Sequence, residues 1–465
     1  MTAAAPSASW SDFLAEGRAA RIALICLGVW LNAADSLVTT TIMPTIGRQL
    51  GGYALFSWAT AAYAVGAILS GATAARLSAR VGLRRAMVAA GVLTAVGCAV
   101  SALAPGMIVL VAGRAVQGLG AGWIVGACYA AVGAMFPARH LARIFGVMTS
   151  VWGVATVLGP LVGALFAEGD HWRAMFWAFG AQSLAFVAAA VWLLARDAPS
   201  AGHKVPWVQL GLVLAGVGLL GAADLVASLA MAAALCVASV AIFIAAVRLP
   251  GAAGHGLFPR AAGDLSSPIG AAYLSYFALM AAATGFSVYG PALLQTLFGF
   301  SPLQAGYAVG LESVGWSAAA LLVAGRGERW HGPIIRLGAA CVVGALAVLA
   351  VAMRAGPIAV ILAAATVLGA GFGLSSGFTG RRVIAAAEEH ERGVASAGIN
   401  SVRQVGGAAG ACLSGIVANL LGMSAGVTTT AAQASAVWLF ALAVPVALLG
   451  AFGAWRVAEP RFANV

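Results

Sequence analysis

Two carboxylates and two arginines stand where the chain carries almost no other charge. Asp35 lies in NAADSLVTTTIMP, Glu312 in GLESVGW, Arg114 in LVAGRAVQGLGAGW and Arg403 in SVRQVGGAAGAC. Each is embedded in an apolar run of roughly twenty residues, the length that crosses a hydrocarbon layer. An ionised side chain there costs about 2.5 kcal/mol or more unless it is paired, so each needs a partner or a function. A carboxylate in low dielectric holds its proton more tightly than in water, and a guanidinium beside it opposes that and is released when the acid is neutralised. That is the chemistry of proton loading and unloading. Counted from the span end on the side away from the termini, Asp35 is about eight residues in (roughly 12 Å), Glu312 about nine and Arg114 about seven, so the three share a layer in the outer half. Asp35 is either a proton carrier or a static partner of Arg114 or Arg403. Glu312 is a second protonation site, a counter-ion for a cationic substrate, or a structural hydrogen-bonding group. Arg403, beside Asn400 and Gln404, contacts substrate or Asp35, or makes a structural pair.

The elements that must hold these groups are membrane spans. Hydrophobic residues make up 62% of the 465 and charged residues 8%, against about 25% charged in soluble domains. Mean hydropathy is +0.98, so a bilayer is the solvent. The 60 glycines suit close helix contacts. Six cysteines fall in apolar stretches without C-x-x-C spacing and read as small hydrophobes. The six histidines lie in the polar breaks, which argues against metal or haem at membrane depth. The single lysine, Lys204, precedes Val205, so there is no G-x-x-x-x-G-K-S/T loop and no ATP hydrolysis of that kind. Nor is any cofactor expected.

About fourteen spans are expected, near 21–43, 53–74, 85–104, 107–134, 143–166, 173–195, 207–225, 228–248, 268–293, 303–324, 334–353, 357–379, 394–421 and 432–455. The Gly-rich stretch around Gly369, Gly371 and Gly373 reads as a tightly packed helix, since no strand precedes it. Asp224, near the far end of the seventh span, reads as facing water. Trp10, Phe13 and Leu14 form a short amphipathic surface turn or part of a frayed tail. The first span is too long for a signal-peptide core and is expected to be retained. Of the 25 lysines and arginines, only Arg48, Arg173 and Arg354 fall on the far side, and Arg114 and Arg403 lie within spans. The rest, including Arg196, Lys204 and Arg461, gather on the side of both termini. That bias places both termini in the cytoplasm and reads as a topology signal, not as a nucleic-acid stripe.

Around the charges lie aromatic and amide groups suited to a cavity. They are Trp123 and Tyr129, Tyr273, Tyr276 and Tyr289, Trp316, and the amides Asn32 and Asn400. Trp316 follows Glu312 by one helical turn, and an acid beside an aromatic face suits a lipophilic cation. Taken singly, each aromatic is equally a core or lipid-facing residue.

Four segments carry a resemblance. RLSARVGLRR (76–85) is similar to the cytoplasmic loop motif G-x-L-a-D-R-x-G-R-R/K of the major facilitator superfamily, keeping Arg80, Gly82, Arg84 and Arg85. Ala75 and Ala79 stand where that motif has glycine and an acid. Arg114, Gln117, Gly118, Gly120 and Ala121 match R-x-x-q-G-x-g-a. Gly159, Pro160 and Gly163 match the antiporter-associated g-x-x-x-G-P-x-x-G-G, with Ala155 and Ala164 in place of glycines. Asp35, Val38 and Pro44 keep the register of D-x-T-V-V-N-V-A-L-P, with Thr40 in place of Asn. With SVRQVGGAAGAC, FGFSPLQAGYAVG and fourteen spans, the chain resembles the fourteen-helix drug:proton antiporter family.

The resemblance implies an all-α membrane protein with the major facilitator fold. Two six-helix bundles (21–195 and 265–456) would be joined by a linker (196–264) holding two extra spans with a spacer role, flanked by tails 1–20 and 457–465. It implies a multi-pass protein of a bacterial cytoplasmic membrane, acting as a monomer and not as an enzyme. Its partners would be protons, membrane lipid and a small lipophilic substrate, with no nucleic acid and no ATP. The activity implied is proton-driven export of lipophilic, cationic compounds by alternating access, with Asp35 taking a proton from outside and Arg114 modulating it. Two alternatives stand beside it. One is export of lipid or an endogenous metabolite on the same scaffold, with Asp35 and Arg403 as a gating pair. The other is an intramembrane enzyme using Asp35 and Glu312 as paired carboxylates.

Overall fold

A computed structural model of the chain describes residues 18–195, 205–249 and 256–459. The expected surface turn at Trp10, Phe13 and Leu14, and the basic residues Arg196, Lys204 and Arg461, lie outside the described residues. The described residues form fourteen α-helices and short 3-10 turns, with no strand among them. In order the helices are α1 (Arg18–Leu50), α2 (Trp58–Val81), α3 (Leu83–Ala102), α4 (Met107–Met135), α5 (Ala138–Glu168), α6 (Trp172–Leu193) and α7 (Trp207–Asp224). There follow α8 (Leu229–Arg248), α9 (Pro268–Phe298), α10 (Pro302–Val323), α11 (His331–Ala355), α12 (Ile358–Ala386), α13 (Arg392–Leu420) and α14 (Thr429–Val457). Thirteen candidate spans are long and apolar enough to cross a bilayer. The helix left out is α13, whose Arg392, Asn400, Arg403 and Gln404 lower its hydropathy; it is held by packing on α9 and α2.

The helices pair by a pattern that repeats after eight. In the first half α1 packs on α5, α2 on α4, and α3 on both α4 and α6. In the second, α9 packs on α13, α10 on α12, and α11 on both α12 and α14. The halves meet through α2 with α13 and through α5 with α10, two contacts that exchange under the same offset. The extra pair α7–α8 is not a detached spacer: α7 packs on α13 and α2.

Glycine sets how closely these helices approach. A Cβ on Gly118 of α4 would run into the backbone carbonyl of Tyr63 in α2, and one on Gly97 of α3 into the backbone of Gln117. Gly369 and Gly373 of α12 lie in the same way against the backbone carbonyls of Glu312 and Trp316 in α10. Gly159 and Gly163 of α5 seat Leu37 and Thr41 of α1, while Gly306 of α10 meets Thr41 and Pro160. Without a hydrophobic force between helices in lipid, such backbone-to-backbone contact is a main source of cohesion. At the basic α2–α3 turn Gly82 has φ 87°, a conformation side chains with a Cβ rarely adopt. Arg80 and Arg85 are exposed there and Arg84 is half-buried.

The first helix differs from its sequence reading. It continues to Leu50 rather than ending near residue 43, with Pro44 inside it. Proline removes one N–H from the helical ladder but its φ is helical, so the turn survives. Arg48 then bonds Thr45 Oγ1 (2.9 Å) in the last turn. Asp35 therefore sits near mid-helix, about 22 Å from Leu50.

The packing predicts that Gly118→Val lowers stability by about 1–3 kcal/mol through overpacking. Gly211→Ala, at a position with open space, is expected to stay within about 0.5 kcal/mol. Thermal unfolding midpoints in detergent would check this, and equal midpoints would contradict it.

Candidate functional site: a buried ion pair and a facing acid

Asp35 on α1 and Arg114 on α4 form one cluster. Arg114 Nη1 donates to Asp35 Oδ2 (2.8 Å) and Oδ1 (3.0 Å) and to Gln117 Oε1 (2.9 Å). Gln117 Nε2 donates to Asp35 Oδ1 (2.6 Å). Arg114 and Gln117 are three residues apart on α4 and so share a face. On the α2 side Arg114 Nε donates to the Ala59 carbonyl (3.3 Å), and the guanidinium carbon lies 4.3 Å from the centre of the Tyr63 ring. Tyr63 in turn donates to Asn32 Oδ1 (2.8 Å), one turn before Asp35. Asp35 and Arg114 are each 2% exposed. The pair is thus fully dry, and its attraction is strong because little screens it. Removing one partner would leave an uncompensated buried charge. Arg403 is not the partner of Asp35, so the Asp35–Arg403 gating pair is not formed: α4 presents Arg114 to α1, while Arg403 on α13 turns to α10.

Glu312 is set differently. Its Oε2 accepts Ser287 Oγ of α9 (3.0 Å), and among the described residues no cation pairs with it. One turn on, Trp316 stacks on Phe372 of α12 (ring centroids 5.0 Å apart), and the Arg403 guanidinium carbon lies 4.7 Å from the Trp316 ring centre. Asp35 and Glu312 lie in opposite halves, each with its own hydrogen-bond partners, and do not form a carboxylate dyad.

The remaining candidates divide. Trp123 Nε1 reaches Ser78 Oγ (3.4 Å). Tyr129 is 54% exposed and stacks on Phe145. Tyr273 donates to the Ala395 carbonyl (2.9 Å) and Tyr276 to the Ser376 carbonyl (2.5 Å), tying α9 to α13 and α12. Asn400 is exposed. Tyr289 lies apart from Glu312: it is 1% exposed and stacks on Phe56 at the α2–α9 seam, ring centroids 5.4 Å apart.

Sequence reasoning missed four partners: Tyr63, Ser287, Ser57 and Asn419. None has a spacing signal: Ser287, Ser57 and Asn419 meet their acids, and Tyr63 its arginine, from a different segment of the chain. It also misplaced Asp224, which does not face water. Asp224 is 2% exposed and accepts Ser57 Oγ (2.5 Å) and Asn419 Nδ2 (2.8 Å). Neutral donors from α13 and the start of α2 replace water around it.

Comparison with known proteins agrees with this architecture. The chain is 31% identical over 445 residues to a "Probable multidrug-efflux transporter" of Mycobacterium tuberculosis (strain ATCC 25618 / H37Rv), covering 90% of this chain and 91% of that protein. It is 30% identical over 166 residues to "Multidrug resistance protein 3" of Bacillus subtilis (strain 168), covering 35% and 32%. Among solved structures, a bacterial homolog of the human lysosomal transporter Spinster, inward-facing and unoccupied, superposes with TM-score 0.69 at 13% identity, over 96% of this chain and 98% of that one. The nucleoside transporter NupG superposes with TM-score 0.67 at 12% identity, over 95% and 100%. The model of the Major Facilitator Superfamily matches residues 25–411, and the chain belongs to that superfamily of multi-pass membrane transporters.

Proposed function

We propose that this protein is a proton-driven exporter of lipophilic, cationic compounds, an antiporter of the fourteen-helix drug:proton type. The observation that carries this reading is the dry Asp35–Arg114–Gln117 cluster. With Asp35 ionised, Arg114 Nη1 holds both carboxylate oxygens and ties α1 to α4. When Asp35 takes a proton its charge is cancelled. Arg114 then keeps Gln117 Oε1, the Ala59 carbonyl and the Tyr63 ring, but loses its anion. A single proton thereby loosens α1 from its neighbours, which is the coupling an exchanger needs.

The second half supplies the substrate end. Among the described residues Glu312 has a hydroxyl donor alone, so a cationic substrate can complete it. Trp316 already carries a guanidinium near its ring, so its electrostatics suit a cation, and substrate would displace Arg403 there. The two six-helix halves, 21–195 and 265–456, would rock about these groups, with the segment 196–264 between them. The basic ends of the helices and the bacterial relatives support a cytoplasmic membrane with both termini inside. No cofactor, ATP or covalent step enters this scheme, and one chain suffices.

A second reading, export of lipid or a metabolite, draws on one feature. An open apolar groove lies at the α5–α10 contact, lined by Thr156, Val157, Phe300, Tyr307, Leu311 and Leu362. It would give an acyl chain sideways access at the seam of the halves.

In acid-loaded proteoliposomes, ethidium is expected to trigger proton release that Asp35→Asn abolishes; undiminished release by the variant would contradict the coupling role. Glu312→Gln is expected to raise the half-maximal cation concentration by about tenfold, equivalent to about 1.4 kcal/mol, and to leave neutral substrates unaffected. Equal shifts for both would contradict a counter-ion role. Folded protein that ignores every cation but moves lipid between leaflets would favour the second reading.

A further inference from the structure

The inserted helix α7 ends in a carboxylate that the scheme above does not use. Asp224 Oδ2 accepts Ser57 Oγ, at the entrance of α2 in the first half. Its Oδ1 accepts Asn419 Nδ2, near the end of α13 in the second half. The same amide reaches the Asp224 carbonyl (3.1 Å) and the Ala54 carbonyl (2.9 Å), so one asparagine touches both the insertion and the first half. The surroundings are shaped for this junction. A Cβ on Gly415, one turn before Asn419, would strike the Asp224 carboxylate and the Ser57 hydroxyl. Gly221, one turn before Asp224, seats the Trp58 ring. The turn at 53–55 meets the turn at 423–425 beside it.

The charges around the junction are few. The titratable groups near Asp224 are Tyr289 on α9 and Cys412 on α13, with Cys236 on α8 behind Cys412. From α2 come Ser57 and Trp58, neither of which titrates. Among the described residues no arginine or lysine pairs with Asp224. Its charge is therefore held by neutral donors from opposite halves, and parting α2 from α13 takes at least one of them away. A buried acceptor stripped of its donor is penalised, so the closed arrangement is favoured at this end.

We propose that Asp224 is a positioning residue of the transport cycle: it pins the ends of α2 and α13 together and must release one of them before that end opens. The inserted pair α7–α8 is on this account a gate strut. The inference rests on the alternating-access reading.

Spin–spin distance measurements on the full chain in lipid nanodiscs test it. Nitroxides would be placed at Leu103→Cys and Thr430→Cys, both exposed at this end and in different halves, with the six native cysteines replaced. Distances would be recorded with and without ethidium. Asp224→Ala is expected to raise the long-distance, open fraction about tenfold, and Ser57→Ala severalfold. Should Asp224→Ala fail to fold, Ser57→Ala decides, since it leaves the carboxylate and its α13 donor in place. A wild type that shows both distances, with folded variants no different from it, would overturn the pin alone. One fixed distance in every protein and condition would overturn alternating access and the pin with it.

Discussion

A hydrocarbon layer offers no water to satisfy a polar group, so every charge placed in it must be answered by another part of the protein. The Asp35–Arg114 pair is where this constraint bears hardest. Two full charges, each 2% exposed, are compatible with folding only because α1 and α4 bring them within 2.8 Å and because Gln117, Ala59 and Tyr63 satisfy what remains. That geometry in turn requires α4 to lie against α2 and α3 at backbone distance. Gly118, Gly97 and their neighbours make the approach feasible. The glycine content and the buried charge are two sides of one design problem.

Three acids set within the helices answer the constraint in three ways. Asp35 has a cation, Glu312 a hydroxyl, and Asp224 two neutral donors drawn from different halves. An acid with a fixed cation is suited to exchanging that cation's hold for a proton. An acid with only a hydroxyl is suited to receiving a cation from outside the protein. An acid shared between the two halves is suited to holding them together. Along the chain there is one in each half and one in the insertion.

Much of this was legible in the residues themselves. Asp35, Arg114 and Glu312 stood out because charge is rare in apolar spans, and Gln117 stood out as a motif residue beside Arg114. The order of the helices followed from apolar runs for all but α13, whose polar residues lower its hydropathy and which is held by packing. The rest depended on tertiary meeting points that carry no local signal. Asp224 is the last residue of its helix, where water is the default neighbour; its burial comes with Ser57 and Asn419, distant in sequence. The extent of α1 was obscured by Pro44, which stops many helices but here removes a single hydrogen bond. The placement of Arg403 over Trp316, rather than toward Asp35, follows from how α13 packs on α9 and α2.

The account turns on whether Asp35 binds a proton in exchange for its hold on Arg114. Infrared difference spectroscopy on the protein in lipid reads this directly, through the carboxylic-acid C=O band. The account predicts a band that appears on acidification, is lost when a lipophilic cation is added, and is absent in Asp35→Asn. A spectrum in which Asp35 stays ionised across the acid range, with no band assignable to it, would contradict the account.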